Sequence, residues 1–266
     1  MSAITQAKRI VVKVGTSTLT YENGKLNLRR METLCKVLSE LQNSGREFIL
    51  VTSGAIGVGV GKLGLPERPQ ETERKQAVAA VGQCELMFMY DKLFGEYNRM
   101  VAQVLLTTDV IANEHNKRNT QNTFNELIKM DIIPVVNEND SVAIDELVGN
   151  NFGDNDTLSA TVARLVDADL LVILTDIDGL YDANPRVDAN AKRIPYVPEV
   201  TDEIRRLAGG TGSNRGTGGM STKVSAAAYA NEAGIPCCVM SGADPKSLYQ
   251  LFDGVQIGTV FGTKKK

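Results

Sequence analysis

The stretch RIVVKVGTST, residues 9–18, joins a short apolar run to a turn of glycine and hydroxyl residues. The apolar residues follow one another instead of alternating with polar ones, which is typical of a strand buried on both faces of a parallel sheet. Similar runs recur along the chain and alternate with longer segments of helical pattern. The runs are RIVVKV (9–14), EFILVTS (47–53), VAQVLLT (101–107), DIIPVV (131–136), DLLVILTD (169–176), IPCCVM (235–240) and QIGTVF (256–261).

The segments between these runs have the periodicity of amphipathic helices. In residues 28–41 the apolar side chains recur at the spacing of one helix face, and they are Met31, Leu34, Cys35, Leu38 and Leu41. Strands that alternate with helices predict βαβ units. We therefore predict an α/β fold, a three-layer αβα sandwich around a mostly parallel central sheet. We expect one domain over residues 1–266, with its core at about residues 9–262.

The composition is that of a folded protein without a broad basic surface. Hydrophobic residues make up 42% of the chain and charged residues 23%, and the formal net charge is −3. These values do not favour a nucleic-acid partner. No run approaches the roughly 18 apolar residues of a membrane span, and the N-terminus lacks a signal segment, so we expect no membrane partner and a cytoplasmic location. His115 is the one histidine, so catalysis is expected to proceed without a histidine base.

A glycine pattern fits the dinucleotide-binding fingerprint but stands in the wrong context. Gly59, Gly61 and Gly64 in GVGKLG fit G-x-G-x-x-G, and Glu85 lies about 20 residues further on. The third glycine is followed by LPERPQ, whose two prolines do not continue a helix. Glu85 falls inside a helical pattern instead of at the end of a second strand. We therefore do not predict a nicotinamide-dependent dehydrogenase.

Polar residues follow several predicted strands, at the edge where open parallel sheets bind ligands. Lys13 lies near the end of the first run, and Gly15, Thr16 and Ser17 come next. A lysine in a buried strand is costly unless an opposite charge meets it. A turn of glycine and small residues frees backbone N–H groups for an anion. The end of this strand is therefore a predicted anion site.

The stretch GTGGMSTK, residues 216–223, precedes a helical pattern rich in small residues. We predict that this helix begins near Gly219 or Met220, so that its first N–H groups and positive dipole end face an anion. Lys223, about one turn into the helix, can lean back toward the same end because helical side chains tilt that way. With Lys13 it would form a clamp of positive charge, as phosphoryl transfer requires.

The stretch GDNDTLSA, residues 153–160, places two carboxylates at the start of another predicted helix. Asp154 is a candidate N-cap residue. Capping accounts for one carboxylate and leaves Asp156 without an explanation. An acidic group near two lysines would hold the lysines in place or bind Mg²⁺.

Two amides and two carboxylates follow the fourth run, in NEND at residues 137–140. Asn137 and Asp140 of this stretch also fit an ordinary turn. Together with Asn155, however, they suit the ammonium group of a substrate, because carboxylate and amide oxygens accept hydrogen bonds from it.

The ordered stretches VVKVGTSTL, VTSGAIGVG, VVNEND, GDNDTLSA, LTDIDGLY and GTGGMSTK resemble motifs of the amino acid kinase superfamily. Within it they are most similar to members that phosphorylate glutamate at the start of proline biosynthesis, and the resemblance covers residues 9–262. It implies transfer of a phosphoryl group from ATP to the γ-carboxylate of L-glutamate, which gives L-glutamyl 5-phosphate, with Mg²⁺ as a further cofactor. No metal ligand is assigned.

The resemblance also implies roles for single residues. Lys13 and Lys223 would stabilise the transferring phosphoryl group, and Asp156 would organise the two lysines. The positions that match the glutamate site are Ser53, Gly54, Ala55, Asn137, Asp140, Asp154 and Asn155. The positions that match the ATP site are Lys13, Gly15, Thr16, Ser17, Thr175, Asp176, Thr217, Gly218, Gly219, Met220, Ser221, Thr222 and Lys223.

Members of this family are oligomeric and commonly inhibited by proline. The resemblance therefore implies a homo-oligomer (a dimer or a tetramer), feedback inhibition by L-proline and functional coupling to the next enzyme of the pathway. Many members carry an additional C-terminal domain of the PUA type, which we expect to be lacking here.

Two alternatives stay open. The first is a kinase of the same superfamily with another acceptor, such as N-acetylglutamate, aspartate or a nucleoside monophosphate. Asp140 and Asn155 argue for an acceptor with a free ammonium group, which N-acetylation would remove. The second is a catalytically inactive ATP-binding sensor, since fold does not guarantee function. Against it, Lys13, Lys223 and Asp156 have little use in binding alone.

Overall fold

The computed structural model describes residues 2–21, 23–107, 110, 112–143, 155–185, 187–209 and 219–262. The strands, in chain order, are β1 (Arg9–Val14), β2 (Glu47–Val51), β3 (Val101–Leu106), β4 (Ile133–Glu138), β5 (Leu170–Thr175), β6 (Tyr196–Val197), β7 (Cys237–Ser241) and β8 (Thr259–Phe261). The helices are α1 (Ser2–Thr5), α2 (Thr16–Leu19), α3 (Leu28–Asn43), α4 (Ala55–Leu63), α5 (Thr72–Gly95), α6 (Glu114–Lys129), α7 (Asn155–Leu165), α8 (Asp202–Ala208), α9 (Met220–Glu232) and α10 (Ser247–Phe252).

The strands form one 8-stranded sheet in the order β3-β4-β2-β1-β5-β7-β8-β6. Neighbouring strands are parallel except β7 and β8, which are antiparallel. Each of the apolar runs overlaps a strand, and the predicted mostly parallel sheet is confirmed. The strand β6 was not predicted, because its two residues carry no readable periodicity.

Helices cover both faces of the sheet, which gives the three predicted layers. On β1, Val12 and Val14 belong to a core that includes side chains of α3, α4 and α5, whereas Val11 belongs to a second core with α7 and α9. Successive side chains of a strand point to opposite faces. Lys13 therefore lies on the same face as Val11, under α7 and α9.

The order of the strands reverses around β1. The strand β2 lies on one side of β1, and β5, which follows β3 and β4 in the chain, lies on the other side. Lys13 is in register with Val51 of β2 and with Ile173 of β5. In open parallel sheets, ligands bind at the carboxyl ends of the strands next to such a reversal. The fold thus places Lys13 where a ligand is expected.

In GVGKLG, Gly59 packs α4 against α5, Gly61 meets the backbone of Gly24, and Gly64 caps the end of α4. A Cβ atom on Gly59 would lie 2.0 Å from a backbone oxygen of α5, and a Cβ atom on Gly82 of α5 would lie 1.8 Å from the carbonyl oxygen of Ala55. Glu85 pairs with Lys62 across the two helices, with 2.8 Å between their charged atoms. Close packing and the capping of α4 therefore explain the glycine pattern without a dinucleotide.

The two helices that were predicted in most detail begin where the sequence indicated. The helix α3 starts at Leu28, and Asn27 caps it by accepting a hydrogen bond from the Arg30 N–H group at 3.2 Å. The helix α9 starts at Met220, and Gly234 follows its end with a φ of 80°. Across the described ranges, no helix combines the length and the apolar character that a membrane crossing requires.

Candidate active site

Lys13 is buried in β1, one residue before the strand ends, and its side chain is only 7% exposed. A buried ammonium group needs a counter-charge. Asp156, in the first turn of α7, supplies it, because its Oδ1 lies 2.6 Å from Lys13 Nζ. The costly lysine in the strand is thus explained by a carboxylate from a distant part of the chain.

Asp156 also contacts α9. The carboxylate is completely buried, and its Oδ2 accepts a hydrogen bond from Lys223 Nζ at 2.9 Å. The hydroxyl oxygen of Thr222 lies 2.8 Å from the same Oδ2. One carboxylate therefore joins β1, α7 and α9, and holds Lys13 and Lys223 on its two oxygens.

The side chain of Lys223 leans back toward the start of α9. Its Nζ lies 3.4 Å from the carbonyl oxygen of Gly219, the N-cap residue. Gly219 has no side chain with which to cap the first backbone N–H groups. The positive end of the α9 dipole and the two ammonium groups consequently lie at the same edge of the sheet.

The cluster of Lys13, Asp156 and Lys223 carries an excess of positive charge, because two ammonium groups meet one carboxylate. Burial by itself would raise the pKa of the Asp156 carboxyl. The charges and hydrogen bonds of the two lysines outweigh this effect and hold that pKa well below its usual range. Asp156 is therefore ionised at neutral pH, and the excess positive charge favours an anionic ligand.

The ends of β1 and β2 are joined by hydroxyl groups. Ser53 Oγ donates to the carbonyl oxygen of Val14 at 3.0 Å, and Thr16 Oγ1 lies 3.4 Å from Ser53 Oγ. Gly54 has a φ of 94°, and a Cβ atom on it would lie 3.1 Å from Thr16. Ala55, which is buried, begins α4 directly afterwards. The predicted SGAI stretch is thus a tight turn that leads into a helix at the carboxyl edge of the sheet.

Two buried amides, Asn137 at the end of β4 and Asn155 at the start of α7, meet at this edge. Asn155 Nδ2 donates to Asn137 Oδ1 at 3.1 Å and to the carbonyl oxygen of Thr52 at 2.9 Å. Asn137 Nδ2 donates to Gln83 Oε1 at 2.8 Å. The sequence motifs predicted both asparagines but not Gln83, which lies on the buried face of α5. A glutamine within an apolar helical stripe is the signal that would have identified it.

Other residues assigned to ATP lie around the same edge. Thr175 ends β5, is buried, and donates through its hydroxyl group to Asp176 Oδ1 at 3.1 Å. Gly15 is the N-cap residue of α2, and a Cβ atom on it would lie 3.7 Å from Lys13 Nζ. The hydroxyl residues exposed in the first turns of α2 and α9 are Thr16, Ser17 and Ser221.

The remaining predicted residues contribute less to this geometry. Asp140 follows β4 by two residues and is half-buried. Asp154, Thr217 and Gly218 lie outside the described residues.

The described side chains at this edge do not form a site for a resident metal ion. In the part of the chain that the structure describes, no group of three or more His, Cys, Asp and Glu side chains is placed to hold a metal. The two oxygens of Asp156 are engaged by Lys13 and Lys223. The sequence suggested that Asp156 either holds the two lysines or binds Mg²⁺. This geometry favours the first role.

The chain is similar to known enzymes along nearly its whole length. Residues 8–241 match the model of the amino acid kinase family. A glutamate 5-kinase of Clostridium perfringens is 57% identical over 264 residues, which cover 99% of this chain and 98% of that protein. A glutamate 5-kinase of Listeria monocytogenes is 52% identical over 99% of this chain and 96% of that protein. A glutamate 5-kinase of Moorella thermoacetica is 51% identical over 97% of this chain, which spans 68% of that protein.

Solved structures with much lower sequence identity share the fold. UMP kinase of Bacillus anthracis superimposes with a TM-score of 0.65 at 14% identity, and 97% of each chain is covered. Isopentenyl phosphate kinase of T. acidophilum, in a product complex, gives a TM-score of 0.62 at 16% identity, with 96% of this chain and 100% of that chain covered. These likenesses concern the architecture and not the acceptor.

Proposed function

The chain belongs to the amino acid kinase family, and from that premise we propose that it is a glutamate 5-kinase. It transfers the γ-phosphoryl group of ATP to the γ-carboxylate of L-glutamate, and the product is L-glutamyl 5-phosphate, the first intermediate of proline biosynthesis. The observation that carries this proposal is the buried cluster in which Asp156 holds Lys13 and Lys223. The high identity with curated glutamate 5-kinases supports the choice of acceptor.

The main obstacle to this reaction is electrostatic, because an anionic carboxylate must approach a polyanionic phosphate chain. Lys13 and Lys223 lie on the two sides of Asp156 and give the cluster its excess positive charge. Fixed positive groups of this kind stabilise the charge on a transferring phosphoryl group without reorganisation during the reaction. We assign this role to the two lysine ammonium groups, and we assign Asp156 the positioning of both.

The reaction needs no general base. A glutamate side chain has a pKa near 4.3 and is ionised at neutral pH, so one of its carboxylate oxygens is already the nucleophile. That oxygen forms a bond to the γ-phosphorus, while the bond from this phosphorus to the β,γ-bridging oxygen breaks. The electron pair leaves with ADP, and no proton has to be removed. This chemistry agrees with a site in which the chain's one histidine takes no part.

The acceptor side of the site lies at the ends of β2 and β4. The turn at Ser53 and Gly54 opens α4, and the buried Asn155 presents its amide next to Asp156. We propose that these residues, with Asn137 and Asp140, bind the amino acid portion of L-glutamate and aim its γ-carboxylate at the lysines. Ala55 and Asp154 complete the residues assigned to this side.

The nucleotide side lies across β1 from the acceptor side, at β5 and the start of α9. Thr175 and Asp176 would contact the nucleoside, and the α9 N-terminus with Gly219, Ser221 and Lys223 would hold the phosphates. Thr217 and Gly218 are assigned to the same segment. Mg²⁺ would enter as a complex with the ATP phosphates, since it commonly binds substrate phosphates with few protein carboxylates.

The wider setting follows from the same assignment. We propose that the enzyme works in the cytoplasm, is inhibited by L-proline and assembles as a homo-oligomer, a dimer or a tetramer. The product, an acyl phosphate, is reactive toward water, which makes functional coupling to the next enzyme of the pathway chemically reasonable.

The acceptor is tested by measuring ADP release from ATP and Mg²⁺ in the presence of L-glutamate, N-acetylglutamate, L-aspartate or UMP. We expect turnover with L-glutamate and rates lower by at least about a hundredfold with the others. Turnover with another acceptor and none with L-glutamate would overturn the assignment within the family. Binding of ATP without turnover on any acceptor would instead identify a sensor.

A further inference from the structure

A buried chain of amides connects α5 with the acceptor side of the site. It runs from Gln83 through Asn137 to Asn155, and each of these side chains is at least nine-tenths buried. An amide group has one end that donates hydrogen bonds and one end that accepts them. The order of donors and acceptors along this chain therefore decides which atom of Asn155 can meet a substrate.

Backbone groups fix the orientation of the Asn155 and Asn137 amides. The carbonyl oxygen of Thr52 can only accept, so the atom of Asn155 that lies 2.9 Å from it must be the NH₂ group. The N–H group of Glu138 can only donate, so the atom of Asn137 that lies 3.0 Å from it must be the amide oxygen. Both hydrogens of Asn155 Nδ2 are then used, on Thr52 and on Asn137 Oδ1.

Gln83 is held in the matching orientation. Asn137 Nδ2 donates to Gln83 Oε1 at 2.8 Å, and a turned Gln83 amide would bring two NH₂ groups together. Gln83 Nε2 is buried and has no hydrogen-bond partner in the described part of the chain. A buried donor without a partner is destabilising. An apolar residue would avoid this cost, but it would leave Asn137 Nδ2 without its acceptor.

The other end of the chain of amides is an acceptor. Asn155 Oδ1 is buried and, like Gln83 Nε2, has no hydrogen-bond partner in the described ranges. Asn155 directly precedes Asp156, which holds the two lysines. An unsatisfied oxygen at this position is suited to a donor group on a ligand, and above all to a cationic one.

We propose that Gln83 is a positioning residue that determines substrate specificity, because it locks Asn137 and Asn155 so that Asn155 Oδ1 faces the α-ammonium group of the acceptor. This inference rests on the proposed function and extends it to a residue of α5. Without the Gln83 oxygen, Asn137 loses one of its anchors and the Asn155 amide is less firmly held. The enzyme would then bind L-glutamate less tightly and would discriminate less against acceptors that lack the ammonium group.

The test compares two substitutions that differ in whether position 83 keeps an oxygen as hydrogen-bond acceptor. Gln83→Glu keeps an oxygen that accepts from Asn137 Nδ2, whereas Gln83→Met has a similar size and no acceptor. Gln70→Met makes the same chemical change at an exposed position shortly before α5 and serves as the control. The thermal midpoint of each variant reports whether it is folded. Gln83→Asn, which keeps an amide but withdraws it by one methylene group, replaces Gln83→Met if that variant does not fold.

In steady-state assays we expect Gln83→Met to raise the KM for L-glutamate about tenfold and to leave the KM for ATP within about twofold. Gln83→Glu is expected to keep the KM for L-glutamate within about threefold of the wild-type value. The proposal would be overturned if Gln83→Met left the KM for L-glutamate unchanged, or if Gln83→Glu raised this KM as much as Gln83→Met did. It would also be overturned if Gln83→Met raised the KM for ATP in parallel with the KM for L-glutamate. Absence of wild-type turnover with L-glutamate would instead contradict the proposed function itself.

Glutarate, which is L-glutamate without its amino group, tests the ammonium contact directly. Competition by glutarate against L-glutamate gives its inhibition constant in each variant. We expect the preference for L-glutamate over glutarate to fall about tenfold in Gln83→Met and to be retained in Gln83→Glu. Equal weakening of both ligands in Gln83→Met would mean that Gln83 serves the fold and not the recognition of the ammonium group.

Discussion

The carboxylate of Asp156 lies 2.6 Å from Lys13 Nζ, and both side chains are almost completely withdrawn from solvent. The residues come from different halves of the chain and meet because β1 and α7 converge at the point where the strand order reverses. A buried ion pair of this kind is weak evidence for stability. Its position at the ligand edge of the sheet indicates that it serves to place the Lys13 ammonium group.

Removal of the shared carboxylate is expected to damage both stability and activity. In Asp156→Asn, the buried Lys13 and Lys223 lose the carboxylate that both of them contact. We expect the free energy of unfolding to fall by about 3 kcal/mol and kcat to fall by at least about a hundredfold. Urea unfolding and steady-state kinetics measure the two effects. Asp253→Asn, an exposed position after α10, should change neither, and a fully active Asp156→Asn would refute the positioning role.

The effect of Asp156 on stability should depend on pH. The pKa of its carboxyl is lower in the folded protein than in the unfolded chain, so ionisation stabilises the folded state. This contribution is complete above the unfolded pKa of about 3.9 and is lost as the pH falls toward the folded pKa. Urea unfolding of the wild type and of Asp156→Asn should therefore show a difference that is constant down to about pH 5 and shrinks below it. A difference that persists unchanged at about pH 2.5 would contradict this assignment.

Loss of either lysine should affect the chemical step more than binding of the acceptor. We expect Lys223→Met to lower kcat by about a hundredfold to a thousandfold, with a smaller change in the KM for L-glutamate. Lys223→Arg should not restore the rate, because a planar guanidinium group does not reproduce the compact ammonium charge. The control is Lys246→Met, at an exposed position before α10. If kcat stayed normal and only KM rose, Lys223 would be a binding residue alone.

Close packing of α4 against α5 should be essential for the turn that opens the acceptor side. A Cβ atom on Gly82 would lie 1.8 Å from the carbonyl oxygen of Ala55, the first residue of α4. We expect Gly82→Ala to lower the free energy of unfolding by about 1–3 kcal/mol and to raise the KM for L-glutamate, because α4 has to shift.

The matched control is Gly95→Ala at the exposed end of the same helix, where a Cβ atom meets nothing within 4 Å. This substitution should be neutral or stabilising by up to about 1 kcal/mol, since alanine favours the helix. Urea unfolding measures the free energy of unfolding of both variants and shows whether only Gly82→Ala is destabilised. Equal stability of Gly82→Ala and Gly95→Ala would show that α4 and α5 are less tightly packed than the contact implies.

Much of the fold could be predicted from the sequence, because buried parallel strands are continuous apolar runs and the helices between them are periodic. The start of α9 at Met220 was also predictable, since glycines precede a helical pattern there. The antiparallel direction of β8 was not, because the direction of a strand depends on its neighbours and not on its composition. The two-residue β6 was missed for lack of length.

The site was predictable where a residue is out of place in its local pattern. Lys13 interrupts an apolar buried strand. Asp156 is a second carboxylate at a helix start where capping explains only one. The sequence left open whether Asp156 binds lysine or metal, since that depends on which side chains three separate elements bring together. Gln83 escaped notice because a single glutamine in a long helix is usually exposed, although it lies in the stripe of small and apolar residues that α5 buries.

The central claim is that the two lysines on Asp156 catalyse formation of an acyl phosphate on L-glutamate. Hydroxylamine traps such a product as a stable hydroxamate, so its yield from ATP, Mg²⁺ and L-glutamate measures the claim directly. We expect hydroxamate from the wild type and at least about a hundredfold less from Lys13→Met and from Lys223→Met. Release of ADP without hydroxamate, or equal yields from the wild type and both lysine variants, would contradict the account.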